Sequence, residues 1–176
     1  MTLTIKQIRA ARSDDELLNL LLAELKQLFP PELRGDPIIF LSRRQNAPTG
    51  IRAMAATYDL DVSMAMDDLA WHFINHHELL ELAEETVLGL RELEAPEAVG
   101  IFQEALTVIK PHWEKLSEIE PKAAHDWLGA NGIQTLMDPL NKRMWNFLKQ
   151  FPDKSFFSLW LAYARKQPER CVVSAE

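Results

Sequence analysis

The sequence predicts an all-α fold: a single-domain, multi-helix bundle of roughly seven to nine helices over 1–167, followed by a polar tail at 168–176. Two observations carry that expectation. Apolar residues recur at helical spacing through most of the chain while alternating strand patterns are nearly absent, and Pro, Ser and Asp fall where helices start and stop. An apolar content of 47% in 176 residues suffices for one sizeable core. No internal repeat or low-complexity segment interrupts the pattern.

Ser13, with Glu16 three residues on, has the form of a capping box ahead of Leu17, Leu18, Leu21, Leu22 and Leu25, so 14–27 is expected as a helix. Pro30 and Pro31 end it, because neither can donate a backbone hydrogen bond. The stretch to Thr49 is the least regular, with a short extended piece at 38–41 as one reading of its four apolar residues. Helices are then expected at 50–58 and 62–75, separated by Asp59, Leu60 and Asp61. The next runs over 77–93, and Pro96 suits the first position of one that continues to Lys110. Pro111 forces a break. Asp138 and Pro139 look like a cap and first-turn pair for a helix to about Gln150, and Asp153 and Ser155 precede another at 156–166.

Charge is unevenly distributed. Between Ala53 and Pro121 stand fifteen acidic and three basic residues, whereas both flanks are net basic and the whole chain carries −7. Such segregation points to a surface that meets a positively charged partner. A pI near 5.3 argues against direct nucleic-acid binding, and Arg43, Arg44 and Arg52 are too sparse to reverse that. No apolar run approaches the roughly 20 residues of a membrane span, and no continuous apolar region suggests a secretory signal, so a cytoplasmic location is expected. The single Cys171 cannot form an intrachain disulfide, which agrees with a reducing compartment.

The text from Asp67 to His77, DDLAWHFINHH, and the later run from Leu90 to Leu106, LRELEAPEAVGIFQEAL, resemble a bacterial family of small helical proteins that includes the neisserial DNA-mimic protein. Phe73, Asn75, Ala95 and Pro96 look like retained family positions, and 151–169 is similar to the family's closing helix. Where the family has an Asn-Gly-Gly-Phe segment this chain reads Met66, Asp67, Asp68, Leu69, so a plain helix is expected in place of a glycine turn. The resemblance implies a helical, non-enzymatic protein that forms a homodimer and, in one branch, presents an acidic surface to a DNA-binding transcription factor.

Glu78, Glu81, Glu85 and Glu92 share one stripe of the 77–93 helix, with Leu79, Leu82, Ala83, Val87 and Leu90 on the other side. With Asp67 and Asp68 they form the expected partner-binding set. A duplex carries one charge per roughly 1.7 Å of axis, so one helix with carboxylates roughly 5 to 6 Å apart is too dilute to imitate DNA. Asp59, Asp61, Glu94, Glu97 and Glu104 would have to join, and a dimer would double the field.

His72 and His76 stand four apart, with Asp68 one turn earlier, a spacing that can hold a transition metal. The residues between the histidines are Phe73, Ile74 and Asn75, so a His-Glu-x-x-His protease signature is absent. His112, His125 and Cys171 lie in no nucleophile context, and Gly129, Asn131 and Gly132 form a turn and not a phosphate loop. Most of Trp71, Trp113, Trp127, Trp145 and Trp160 are expected in the core. The leading expectation is therefore a protein-binding module without cofactor or catalysis, whose partner is a basic regulator or a toxin. The alternative is a metal-binding protein or metal-dependent enzyme built on Asp68, His72 and His76.

Overall fold

The computed structural model describes residues 2–76 and 79–173, and among these the chain is helical with no strand. In chain order the helices are α1 (Ile5–Ala10), α2 (Asp14–Leu28), α3 (Pro37–Gln45), α4 (Thr49–Met66), α5 (Leu69–Asn75), α6 (Leu80–Glu92), α7 (Pro96–Ile109), α8 (Trp113–Ser117), α9 (Pro121–Ala130), α10 (Ile133–Leu148) and α11 (Phe157–Lys166). Three 3-10 turns join them at Pro31–Gly35, Lys110–His112 and Pro168–Cys171. The all-α expectation holds, with more and shorter helices than the seven to nine anticipated.

Helix α4 is the hub, packed on α6 along much of its length and touched by α2, α3, α5 and α11. Its fully buried residues include Ile51, Met54, Ala56, Thr57 and Leu60. The α4–α6 approach is close because Gly89 lacks a side chain: a Cβ there would lie 2.9 Å from the Ala53 carbonyl oxygen. The two helices run antiparallel. Arg52 pairs with Glu85, the Thr86 hydroxyl lies 3.3 Å from the Ala56 carbonyl, and Leu82 shares a cleft with Asp59 and Val62. The end of α4 and the start of α6 therefore lie together.

Several boundaries differ from the sequence expectation for identifiable reasons. Asp59 and Asp61 do not separate two helices; α4 runs straight through them because tertiary partners satisfy both carboxylates. Asp61 accepts from the Ser155 hydroxyl (2.7 Å) and the Phe156 amide (2.8 Å), which ties the entry to α11 onto α4. Burial nonetheless holds the Asp61 carboxyl above its usual range. The plain helix expected across 66–69 is instead a break. Asp67 leaves helical geometry, and the Asp68 side chain accepts from the Trp71 amide at 3.1 Å, so a side-chain cap makes the turn without glycine.

The extended piece at 38–41 is part of helix α3, opened by Asp36, whose carboxylate accepts from the Ile39 amide at 3.0 Å. Pro139 does not start its helix but lies inside α10, on an exposed position. Ile133, Met137, Leu140 and Met144 keep one buried stripe across it, so packing overrides the lost backbone hydrogen bond. The expected tail begins as a packed turn with Pro168 and Cys171 buried. Cys171 fills the space left by Gly50, where a Cβ would come within 2.7 Å of its sulfur, and burial pushes the thiol up to about 12.

Candidate functional site

The carboxylates of the predicted stripe separate into three environments. Glu85 is buried and makes a bidentate pair with the Arg52 guanidinium, whose Nε lies 2.7 Å from it. Glu92 is mostly enclosed; it accepts from the Tyr163 hydroxyl and pairs with Arg170 at 3.0 Å. Desolvation and the adjacent Glu92 both raise the Tyr163 pKa. Among the described members of the helix stripe only Glu81 is exposed; Glu78 lies outside the described residues. Of the two aspartates, Asp67 is exposed, while Asp68 is half-buried, caps α5 and lies 3.4 Å from the Asn141 amide nitrogen. The five described carboxylates of the set therefore do not form one open face.

The same accounting explains the charge segregation. Arg44 pairs with Asp59, Arg52 with Glu85, Arg143 with Glu104, Lys166 with Glu94 and Arg170 with Glu92. In each case a basic residue of a flank meets a carboxylate of the central segment. Much of the asymmetry in sequence is thus neutralised in space.

An open acidic region survives at one end of the α4–α6 pair. Asp67 closes α4 and Glu81 lies in the first turn of α6. The end of α7 reaches the same region through the Lys110–Glu84 pair at 3.2 Å, and Glu114 follows on α8. Asp67, Glu81 and Glu114 are exposed and take part in none of the ion pairs found among the described residues. On α4, within five positions of Asp67, stand two exposed apolar residues, Val62 and Met66, the latter 82% accessible.

Asp68, His72 and His76 do not converge as the metal alternative requires. His72 is fully buried with its Nε2 3.1 Å from the Thr86 hydroxyl, His76 Nε2 lies 3.6 Å from Asp59, and Asp68 is turned toward Trp71 and Asn141. Among the described residues no group of three His, Cys, Asp or Glu side chains is placed to hold a metal ion. The i, i+4 spacing instead stacks the two imidazoles edge to face, 4.7 Å between centroids, with Phe73 and Phe102 around His72. His112 and His125 pack as ring partners of Trp127 and Trp71. Trp160 is buried, Trp71, Trp113 and Trp127 partly so, and Trp145 is 36% exposed with its indole donating to the Met64 carbonyl at 3.1 Å.

Burial, then the neighbouring His76 and Arg44, hold the His72 imidazole well below its usual pKa. A histidine neutral in the fold but free to protonate when unfolded contributes full stability above about pH 6.5 and less as pH falls below it, by up to about 1.4 kcal/mol per pH unit. The urea midpoint is accordingly expected to drop between pH 7.5 and 5.5, with a smaller drop in His72→Gln. An equal drop in both proteins would assign the effect elsewhere.

Sequence reasoning missed Arg44 and Asp59. Arg44 has no exposed side-chain surface, bonds through Nη2 to Asp59 and to the Ala55 carbonyl at 3.1 Å, and places its guanidinium carbon 4.4 Å from the centre of the Phe40 ring. Clefts open on both sides of Phe40 and Asp59. One, of about 280 Å³, reaches Val62, Asn75 and His76; the other, of about 460 Å³, lies between α2, α3 and α4. No family model, curated protein or solved structure matches the chain. Among the described residues, no helix is long and apolar enough to cross a membrane.

Proposed function

We propose that the protein is a non-catalytic binding protein that engages a basic protein partner through the acidic end where α4 and α7 finish and α6 begins. The observation that carries this reading is the set Asp67, Glu81 and Glu114, exposed and without ion-pair partners among the described residues, beside the exposed Met66. Carboxylates at the rim steer a cationic partner and set its orientation, while the apolar Val62 and Met66 supply short-range contact. Glu85 and Glu92 belong to internal pairs and leave the binding set. Their withdrawal thins an already dilute field, which favours a basic protein surface over strict imitation of the DNA backbone. A DNA-binding regulator or a toxin is a narrower form of the same reading.

The test is a salt-graded affinity capture from native host lysate, with wild type beside an Asp67→Lys/Glu81→Lys double variant. Both positions are exposed, so the variant is expected to fold. Capture of a basic protein by wild type at low salt, lost at moderate salt and in the variant, is the expected result. Retention of the same proteins by the variant would reject the acidic end as the recognition surface. Lysine at Glu85 is unsuitable for this purpose, because it would confront Arg52 inside the fold.

A further inference from the structure

We infer that the cleft between α2, α3 and α4 is a binding site for a small anionic amphiphile, a carboxylate carrying an aliphatic body. Its volume, about 460 Å³, falls within the roughly 300–1,000 Å³ range of small-molecule sites. The walls are largely apolar: Leu22, Leu25 and Phe29 from α2 and its end line the cleft together with Phe40 and Tyr58, and the Phe29 and Phe40 rings meet edge to face at 6.1 Å. These side chains suit a hydrocarbon body.

The charged residues of the lining set the headgroup. Arg44 and Asp59 line it as a pair that is electrically neutral as a unit, and Arg44 is held rigidly between Asp59, the Ala55 carbonyl and the Phe40 ring. Lys26, on an exposed position of α2, is the remaining charged residue lining the cleft among the described residues. Neither Lys26 nor any other lining residue on α2 takes part in an ion pair found among the described residues. Among the described residues the lining therefore carries an excess of one positive charge, which one carboxylate balances. A ligand carboxylate at Lys26 leaves its aliphatic part to displace water from the five apolar walls, and that burial supplies most of the affinity.

Nothing in this inference depends on the acidic end. Asp67 and Glu81 do not line the cleft, so the Asp67→Lys/Glu81→Lys variant is expected to keep the ligand while losing the protein partner.

Isothermal titration calorimetry with decanoate and with decyltrimethylammonium, both below their aggregation concentrations, tests the site. Wild type is expected to bind decanoate at least tenfold more tightly than the cationic probe. Lys26→Glu should weaken decanoate at least tenfold, as should Leu22→Trp, which fills the cleft from its wall. Lys26→Glu changes only an exposed side chain, so it keeps the test intact if the tryptophan variant fails to fold. Equal affinity for the two probes, decanoate binding unchanged in Lys26→Glu, or no decanoate binding at millimolar concentration would each overturn the inference.

Discussion

Asp59→Ala is expected to lower the unfolding free energy by about 3–5 kcal/mol, a large share of the 5–15 kcal/mol typical of a domain. The Arg44 guanidinium has no exposed surface and cannot shed its proton at any pH at which the protein folds. Removing the carboxylate leaves that charge enclosed against Phe40, with the Ala55 carbonyl still accepting from it. The loss is the cost of enclosing the guanidinium without the carboxylate it bonds to and not the worth of the pair, so Arg44→Met/Asp59→Ala should recover most of it. Urea midpoints of the wild type, the single variant and the double variant decide the matter. A single variant within 1 kcal/mol of wild type, or a double variant no better than the single, would mean that water reaches Arg44.

The helical class was legible because the 3.6-residue period persists where local signals conflict. Asp-Pro pairs show the conflict directly. The pair at 36–37 opens α3 with a side-chain cap, yet the same pair at 138–139 lies in the middle of α10, where the buried stripe Ile133, Met137, Leu140 and Met144 continues across it. A local cap signal cannot tell the two apart, because burial on the opposite face decides. Helix α1 carried a readable signal that the sequence reading passed over: Thr4 and Gln7 form a reciprocal capping box. The break at Asp67 and Asp68 was not legible: the absence of glycine pointed to a continuous helix, and the Asp68 side-chain cap that opens α5 needed the fold.

The site was less legible than the fold. Helical spacing placed Glu81, Glu85 and Glu92 on one stripe, but spacing along one helix says nothing about which partners arrive from elsewhere. Arg52 comes from 33 residues upstream of Glu85, and Arg170 from 78 residues downstream of Glu92. The same long-range pairing turns a segregated sequence into a cross-linked fold: basic flanks are drawn onto an acidic centre. Arg44 looks in the sequence like one of a few sparse basic residues, yet its side chain has no exposed surface. No periodicity distinguishes an arginine that enters the core from its exposed neighbour Arg43.

The second large effect is expected at Trp160, where replacement by alanine should cost about 3–5 kcal/mol. The indole is fully buried, 4.8 Å from the Phe157 ring and 6.1 Å from Tyr58 by centroid, and it fastens α11 to α4. Its Nε1 donates to the Thr57 hydroxyl at 2.9 Å, and that hydroxyl lies 2.9 Å from the Ala53 carbonyl, so the tryptophan ends a short polar chain inside α4. Trp160→Phe keeps most of the packing but leaves Thr57 without its donor, and should cost less than half as much as alanine. Both variants preserve every carboxylate of the acidic end, so surviving folded protein is expected to retain salt-sensitive partner capture even as the urea midpoint falls. Equal losses for phenylalanine and alanine would locate the energy in the Thr57 hydrogen bond and not in the ring. A loss below about 1.5 kcal/mol for alanine would mean that the neighbouring aromatics close over the cavity.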